Sequence, residues 1–320
     1  MILVNFGGPR DLSEVHLFLK ELLTDQDVIR TRLPRVIHRW IFSRVAKKRA
    51  LKISPDYEKI GGGSPIFRDT EEVAKKLSQK LGVPVIPFHR YLKATHEASF
   101  QKIEALQEKT LRVLPMFPQF SYATTGSIAR FFSERLSKKT QLSLRWIQSY
   151  AAHPAFIECY AQKINQCLQG HGIEEREAIL LFSCHGLPRL FIEEGDIYES
   201  ECQRSFEALA LLFPKAQCML SYQSKFGRGE WLRPYTDEVC KSIRSWNDGR
   251  KWVVVVPLSF TSDHIETLYE IEELYLPLLR EQEVNAVRCP ALNCELGWID
   301  ALVEIAAMSN LKTNDQLIRK

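Results

Sequence analysis

Short runs of consecutive apolar residues alternate along this chain with longer stretches in which apolar positions recur every three or four residues. The continuous runs fall at 2–5, 83–88, 111–116, 142–146, 179–183, 217–221, 252–257 and 285–288. Rich in Ile, Val and Leu, they have the character of strands buried on both faces. Between them the helical spacing predicts helices over stretches such as 13–23, 70–81, 97–107, 154–169, 199–213 and 236–246. Strands separated by helices predict parallel β-α-β units, and therefore an α/β fold.

A weak internal echo divides this pattern in two. Ile2-Leu3-Val4-Asn5-Phe6-Gly7-Gly8-Pro9 resembles residues 179–188, each a buried strand closed by a Gly/Pro turn. Residues 112–117 running into 121–127 likewise resemble 254–258 running into 261–267. The economical expectation is two similar α/β domains with a cleft between them, dividing near 135–150. Chance agreement between β-α-β units is the alternative.

Composition changes this picture little. With 45% apolar and 26% charged residues the chain is an ordinary globular one, and a net charge of +4 is too small to argue for nucleic acid. Charge placement says more. Nine Lys or Arg residues and no acid lie between Val28 and Pro55, which leaves about −5 for the rest of the chain. Within this stretch Pro34 opens a predicted helix over 34–49, with Val36, Ile37, Trp40, Ile41 and Val45 on one face. Such a helix suits an anionic membrane surface or an apolar lip around a greasy ligand, unless its apolar face simply meets the core. No apolar run reaches the roughly 18 residues that span a bilayer. The N-terminus shows no signal-peptide pattern, so a cytoplasmic location is expected. The eight cysteines are dispersed without a Cys-x-x-Cys pair, as expected of reduced thiols.

Two segments concentrate chemistry where a strand ends, the place where open α/β sheets bind ligands. His185 follows the run 178–184 and is followed by Gly186, Leu187 and Pro188, a turn that can project its ring. Asp263, His264 and Glu266 follow the run 253–258. Asp263 and Glu266 also have the spacing of a helix capping box. Glu266, Glu270 and Glu273 would form one acidic face of an α-helix. The turns Gly7-Gly8-Pro9 and Gly61-Gly62-Gly63-Ser64-Pro65 match no nucleotide-binding fingerprint, and are expected to let backbone approach a ligand.

Taken together these motifs resemble the ferrochelatase family, which catalyses the terminal step of haem synthesis. The resemblance runs nearly end to end: Asn5–Pro9, Gly61–Pro65, Arg90-Tyr91, Pro118–Ser121 with Thr124–Ser127, Phe182–Pro188, Gln223–Lys225 with Trp231, and Ser262–Glu270. His-Gly-Leu-Pro after a strand and Ser-Asp-His-Ile-Glu-Thr are its specific signatures. It implies two Rossmann-like domains related by a pseudo-twofold, each with a four-stranded parallel sheet flanked by helices. The first would be 1–138 plus 295–320, including a lip segment at 28–55. The second would be 139–294, carrying His185 and Glu266. The implied reaction inserts Fe2+ into protoporphyrin IX and releases two protons. His185 and Glu266 would face each other across the cleft as metal ligands or bases, with His264 and Asp263 as catalytic supports and Glu270 continuing an acidic path. Phe6, Ser64, Tyr91 and Trp231 would contact the porphyrin.

The resemblance also implies what to leave out. Tyr122 stands where cluster-bearing members have a cysteine, and none follows Cys294, so no 2Fe–2S cluster or other prosthetic group is expected. The Asn-Phe-Gly-Gly-Pro turn favours protoporphyrin over coproporphyrin, whereas Leu92-Lys93 after Arg90-Tyr91 departs from the commoner Gly-Asn. A monomer is expected, without nucleic acid and with peripheral membrane contact through 28–55. Competing readings are a cobalt or nickel chelatase and a non-catalytic tetrapyrrole carrier, which would need no paired His185 and Glu266.

Overall fold

The structure is a computed structural model describing residues 1–227 and 229–319. The chain forms two compact units, Met1–Ser149 with Leu302–Lys320, and Tyr150–Ala301.

In the first unit β1 (Ile2–Asn5) leads through α1 (Val15–Leu23), α2 (Arg35–Lys59) and α3 (Ile66–Leu81) to β2 (Ile86–His89). Helix α4 (Lys93–Ala105), β3 (Leu111–Pro115), α5 (Ser127–Arg135), α6 (Lys138–Ser143) and β4 (Leu144–Ile147) follow. The sheet order is β2-β1-β3-β4-β9, parallel throughout except that β9 (Leu311–Lys312) pairs antiparallel with β4. Ile2, Val4, Phe88, Val113, Phe132 and Trp146 form its core.

The second unit runs α7 (Pro154–Gly170), β5 (Ala178–His185), α8 (Arg189–Glu193), α9 (Tyr198–Ala210), β6 (Gln217–Gln223) and α10 (Thr236–Ser242). It continues with β7 (Trp252–Val256), α11 (Leu276–Glu281) and β8 (Asn285–Arg288). Its order is β6-β5-β7-β8, all parallel. That is the order of the first four strands of the other sheet, so the internal echo in the sequence is an echo of topology. After β3 and after β7 the chain enters a π-helix, at Tyr122–Gly126 and at Ile265–Tyr275 respectively.

Three expectations need correction. The domain boundaries are not 138/139 and 294/295, because β4 hydrogen-bonds to β3 and so belongs to the first unit. The second boundary falls inside α12 (Leu296–Ala306), whose C-terminal half leads through β9 and α13 (Asn314–Leu317) back into that unit. The first sheet has a fifth strand that two residues of β9 could not announce by periodicity.

The glycine turns have a packing reason as well. Gly8 and Gly63 are small because the two turns pack on each other, Gly8 against the Ser64 side chain and Gly63 against the Arg10 backbone. A Cβ on Gly8 would lie 2.5 Å from the Ser64 Cβ, and one on Gly63 would lie 2.3 Å from the Arg10 carbonyl oxygen. The Ser64 N–H closes the contact on the Pro9 carbonyl at 2.7 Å.

Candidate functional site

Strand β5 is buried from Ala178 to Cys184, and His185 is its first residue to emerge. Its apolar residues are enclosed by neighbours on both faces, so His185 is carried on a rigid element rather than a loop. The His185 N–H donates to Ser259 Oγ at 2.8 Å, which ties the strand end to the turn after β7. Gly186 then donates to the Gln223 carbonyl at 2.8 Å, and a Cβ here would sit 2.8 Å from that oxygen and 3.3 Å from the Trp231 ring. Only glycine fits this turn without displacing β6 or the indole.

Glu266 reaches the same place from the π-helix. His185 Nδ1 donates to Glu266 Oε2 at 2.9 Å, and both side chains are about a third exposed or less. The two groups therefore belong to one unit and touch, instead of facing each other across a gap. With Nδ1–H committed to the carboxylate, a neutral His185 carries its lone pair on Nε2, away from Glu266. His264 Nδ1 donates to the Ser262 carbonyl at 3.1 Å, and its Nε2 stands 3.7 Å from Glu266 Oε2. Phe260 packs between the two imidazoles, with ring centres 6.3 Å from His185 and 5.0 Å from His264.

The electrostatics follow from this packing. Burial opposes a charge on Glu266, but the His185 and His264 rings outweigh it and hold the carboxyl well below the ordinary range. Burial likewise disfavours the His185 imidazolium, yet the adjoining Glu266 charge and hydrogen bond raise its pKa above the ordinary value. Glu270 is pushed up to about 7, first by burial and then by the Glu266 charge. A charged carboxylate, a strengthened imidazole base and a carboxyl that titrates near neutrality thus share one strand end.

Gln223 and Ser224 hold Glu270, and the sequence reading gave them no role. Ser183 Oγ donates to Gln223 Oε1 at 2.7 Å, which fixes the amide so that Nε2 donates to the Glu266 carbonyl at 2.8 Å and to Glu270 Oε2 at 3.3 Å. Ser224 adopts a left-handed conformation, φ 63°, and donates Oγ–H to Glu270 Oε2 at 2.5 Å. A non-glycine residue held there costs on the order of 1 kcal/mol, and such positions cluster at functional sites. The signal was available: Gln223 pairs in register with His185, so both stand at the same sheet edge.

Asp263 touches neither member of the pair and acts on it through the backbone. The N-cap of the π-helix is His264, whose N–H donates to Thr267 Oγ1 at 2.9 Å, so Glu266 is not drawn into a capping box with Asp263. Asp263 accepts from Thr267 Oγ1 (2.8 Å), Arg288 (2.7 Å) and Asn293 Nδ2 (2.9 Å), and no contact with His185 or Glu266 is among them. It anchors the backbone that presents Glu266. The expected ridge through Glu273 also fails. A π-helix bonds each N–H five residues back, so its wider turn no longer returns a seven-residue step to the starting face.

Of the expected substrate contacts, Trp231 lies half-buried against Gly186, and its Nε1 lacks a hydrogen-bond partner. Phe6 is half-buried between Phe117 and Tyr91, with ring centres 4.7 and 5.1 Å away. Tyr91 is 1% exposed and donates its hydroxyl to Asp25 Oδ2 at 3.1 Å. The same oxygen accepts from Arg90 at 2.7 Å and Ser127 at 2.6 Å. Burial and the Asp25 charge push the Tyr91 phenol well up. Ser64 is buried against Gly8. Tyr91 and Ser64 are thus spent on packing in the first unit, and Asp25 is a hub that the sequence reading missed.

Among the described residues no helix is long and apolar enough to cross a membrane, and no group of three or more His, Cys, Asp or Glu is arranged to hold a metal ion. All eight cysteines are free thiols.

Comparison with known proteins gives a consistent result. A family model described as ferrochelatase matches residues 1–309. The chain is 44% identical over 318 residues to a ferrochelatase of Chlamydia abortus, covering 99% of this chain and 98% of the relative. It is 46% identical over 314 residues to a ferrochelatase of Chlamydia muridarum, covering 98% and 95%. Among solved structures, CbiX, described as the terminal enzyme of sirohaem biosynthesis in denitrifying bacteria, aligns with TM-score 0.52 and 14% identity over 77% of this chain and 93% of that one. SirB from Bacillus subtilis with Fe3+ aligns with TM-score 0.50 and 15% identity over 79% and 94%. At such low identity these two share the fold.

Proposed function

The chain belongs to the ferrochelatase family, and we infer that it inserts ferrous iron into protoporphyrin IX at the His185–Glu266 pair, giving protohaem and two protons. The observation that carries this reading is the 2.9 Å contact from His185 Nδ1 to Glu266 Oε2 at the end of a buried strand.

A porphyrin resists metal entry because its central nitrogens carry two protons that must leave as the metal arrives. His185 Nε2 is the group suited to take one of them. Its basicity is raised by Glu266, and Nδ1 is already committed, so the proton has one destination. Glu266 stays ionised and offers its remaining oxygen to the incoming cation. Glu270, titrating near 7, can receive and release a proton at the pH of the reaction. His264 tunes Glu266 from 3.7 Å, and Asp263 positions it through the helix start. Phe6 and Trp231, which keep partly accessible rings, are the better porphyrin contacts.

The reading includes no prosthetic group and no iron–sulfur cluster, in keeping with Tyr122 at the position where cluster-bearing members have a cysteine. Nitrogen and oxygen donors do not favour iron over other divalent metals by affinity, so zinc and cobalt insertion in vitro is expected. It also includes a monomer whose segment 28–55 touches an anionic membrane. Val36, Ile37 and Trp40 there are 80, 48 and 57% exposed, the reverse of a core-facing helix.

Purified protein mixed anaerobically with protoporphyrin IX and Fe2+ tests the activity. Formation of the haem spectrum, with two protons released per iron, is expected. Tight porphyrin binding without turnover for Fe2+, Co2+ or Zn2+ would make the chain a carrier instead.

A further inference from the structure

Helix α2 buries His38, Ala46, Ala50 and Tyr57 and turns its larger apolar residues outward. Val36, Trp40, Arg44, Lys47 and Leu51 follow one another at spacings of three and four, so apolar and basic side chains share one exposed stripe. Helix α1 packs alongside and presents His16 and Lys20, one turn apart, toward Arg39, Trp40, Arg44 and Lys47. These residues line an open groove of about 410 Å3. The Arg44 guanidinium lies 3.8 Å from the centre of the Trp40 ring, which orients it along the indole.

Lys20, Arg39, Arg44 and Lys47 have no carboxylate partner among the described residues. Four cations converging on one groove repel each other, and an anion seated among them would relieve that repulsion. A soluble phosphate would account for the cations but would leave Val36, Ile37 and Trp40 in water. A phospholipid accounts for both features, because its phosphate sits directly above its acyl boundary and tryptophan favours that level.

We propose that the α1–α2 groove binds the phosphate of an anionic phospholipid headgroup, while Val36, Ile37 and Trp40 enter the interfacial layer beside it. The proposal rests on reading 28–55 as membrane-facing and narrows that contact to one pocket. It is independent of metal insertion, since lipid binding is measured without substrate.

The test is co-sedimentation with vesicles of phosphatidylcholine containing 30% phosphatidylglycerol, at fixed salt. Two charge-matched double variants are compared: Arg39→Glu with Lys47→Glu inside the groove, and Lys48→Glu with Lys52→Glu on the same helix outside it. Because each cation near an anionic bilayer contributes about equally, surface attraction alone would weaken both alike. The groove predicts a fall of at least about tenfold for the first pair and less than about threefold for the second. Equal losses would overturn the pocket while leaving membrane contact standing. Failure of the wild type to bind these vesicles, or equal binding to pure phosphatidylcholine, would overturn both. Inorganic phosphate binding without vesicle binding would assign the groove to a soluble anion and overturn the lipid. If a Glu pair melts early, the corresponding Gln pairs make the same comparison with smaller charge changes.

Discussion

Glu270 keeps its proton up to about pH 7 because it is buried next to an ionised Glu266. An ordinary glutamate in the unfolded chain loses that proton around pH 4.5. Between these values the folded chain binds more protons than the unfolded one, so this group lowers stability as pH rises through the window and changes nothing above it. Glu270→Gln removes the penalty. The variant is expected to match the wild type near pH 4.5 and to exceed it at pH 8 by on the order of 1 kcal/mol. Urea unfolding at the two pH values checks this. Parallel curves would mean that Glu270 is already ionised at neutral pH. Gly186 makes a second prediction at this scale. Gly186→Ala drives a methyl into the Gln223 carbonyl, and a cost of about 1–3 kcal/mol is expected in the same assay.

At the scale of the element, the π-helix after β7 decides which acids meet His185. Its start is fixed by Asp263, which is 11% exposed and ion-paired with Arg288, itself 10% exposed. Arg288 also bonds Glu272, so the guanidinium holds the helix at two points. Asp263→Ala leaves a buried guanidinium short of its main partner, and a loss of about 3 kcal/mol is expected by thermal or denaturant unfolding. If Asp263 instead acted in the chemistry alone, the variant would melt with the wild type. The strand ends bearing His185 and Glu266 were legible in the sequence because continuous apolar runs stop abruptly there. The helix type was not. Spacing of acids at four and seven residues reads as an α-helical face, and nothing local distinguishes the π turn that removes Glu273 from it. Helix α2 was legible as a helix, but which face it turns to the core was not, since both Val36/Trp40 and Ala46/Ala50 are apolar pairs at helical spacing.

For the whole molecule, strand order is the same in both sheets apart from β9, and the π-helices occupy equivalent places after β3 and β7. The repeat was visible in the sequence as two strand-turn motifs. Its boundary was not, because β4 shows where it belongs only through its hydrogen bonds to β3. Long-range polar hubs were hidden for the same reason. Asp25 gathers Arg90, Tyr91 and Ser127 from 65, 66 and 102 residues away. Both units thus build their sheets by the same rule, and the first also pairs an imidazole with a carboxylate, His89 with Glu71, but there the ring is buried, whereas the His185–Glu266 pair of the second is partly exposed. The direct test of that pair is anaerobic single-turnover haem formation by wild type, His185→Ala and Glu266→Gln, with porphyrin binding followed by fluorescence on the same samples. Loss of roughly 10²-fold or more in both variants, with porphyrin affinity unchanged, is the predicted result. Wild-type turnover by Glu266→Gln would contradict the account.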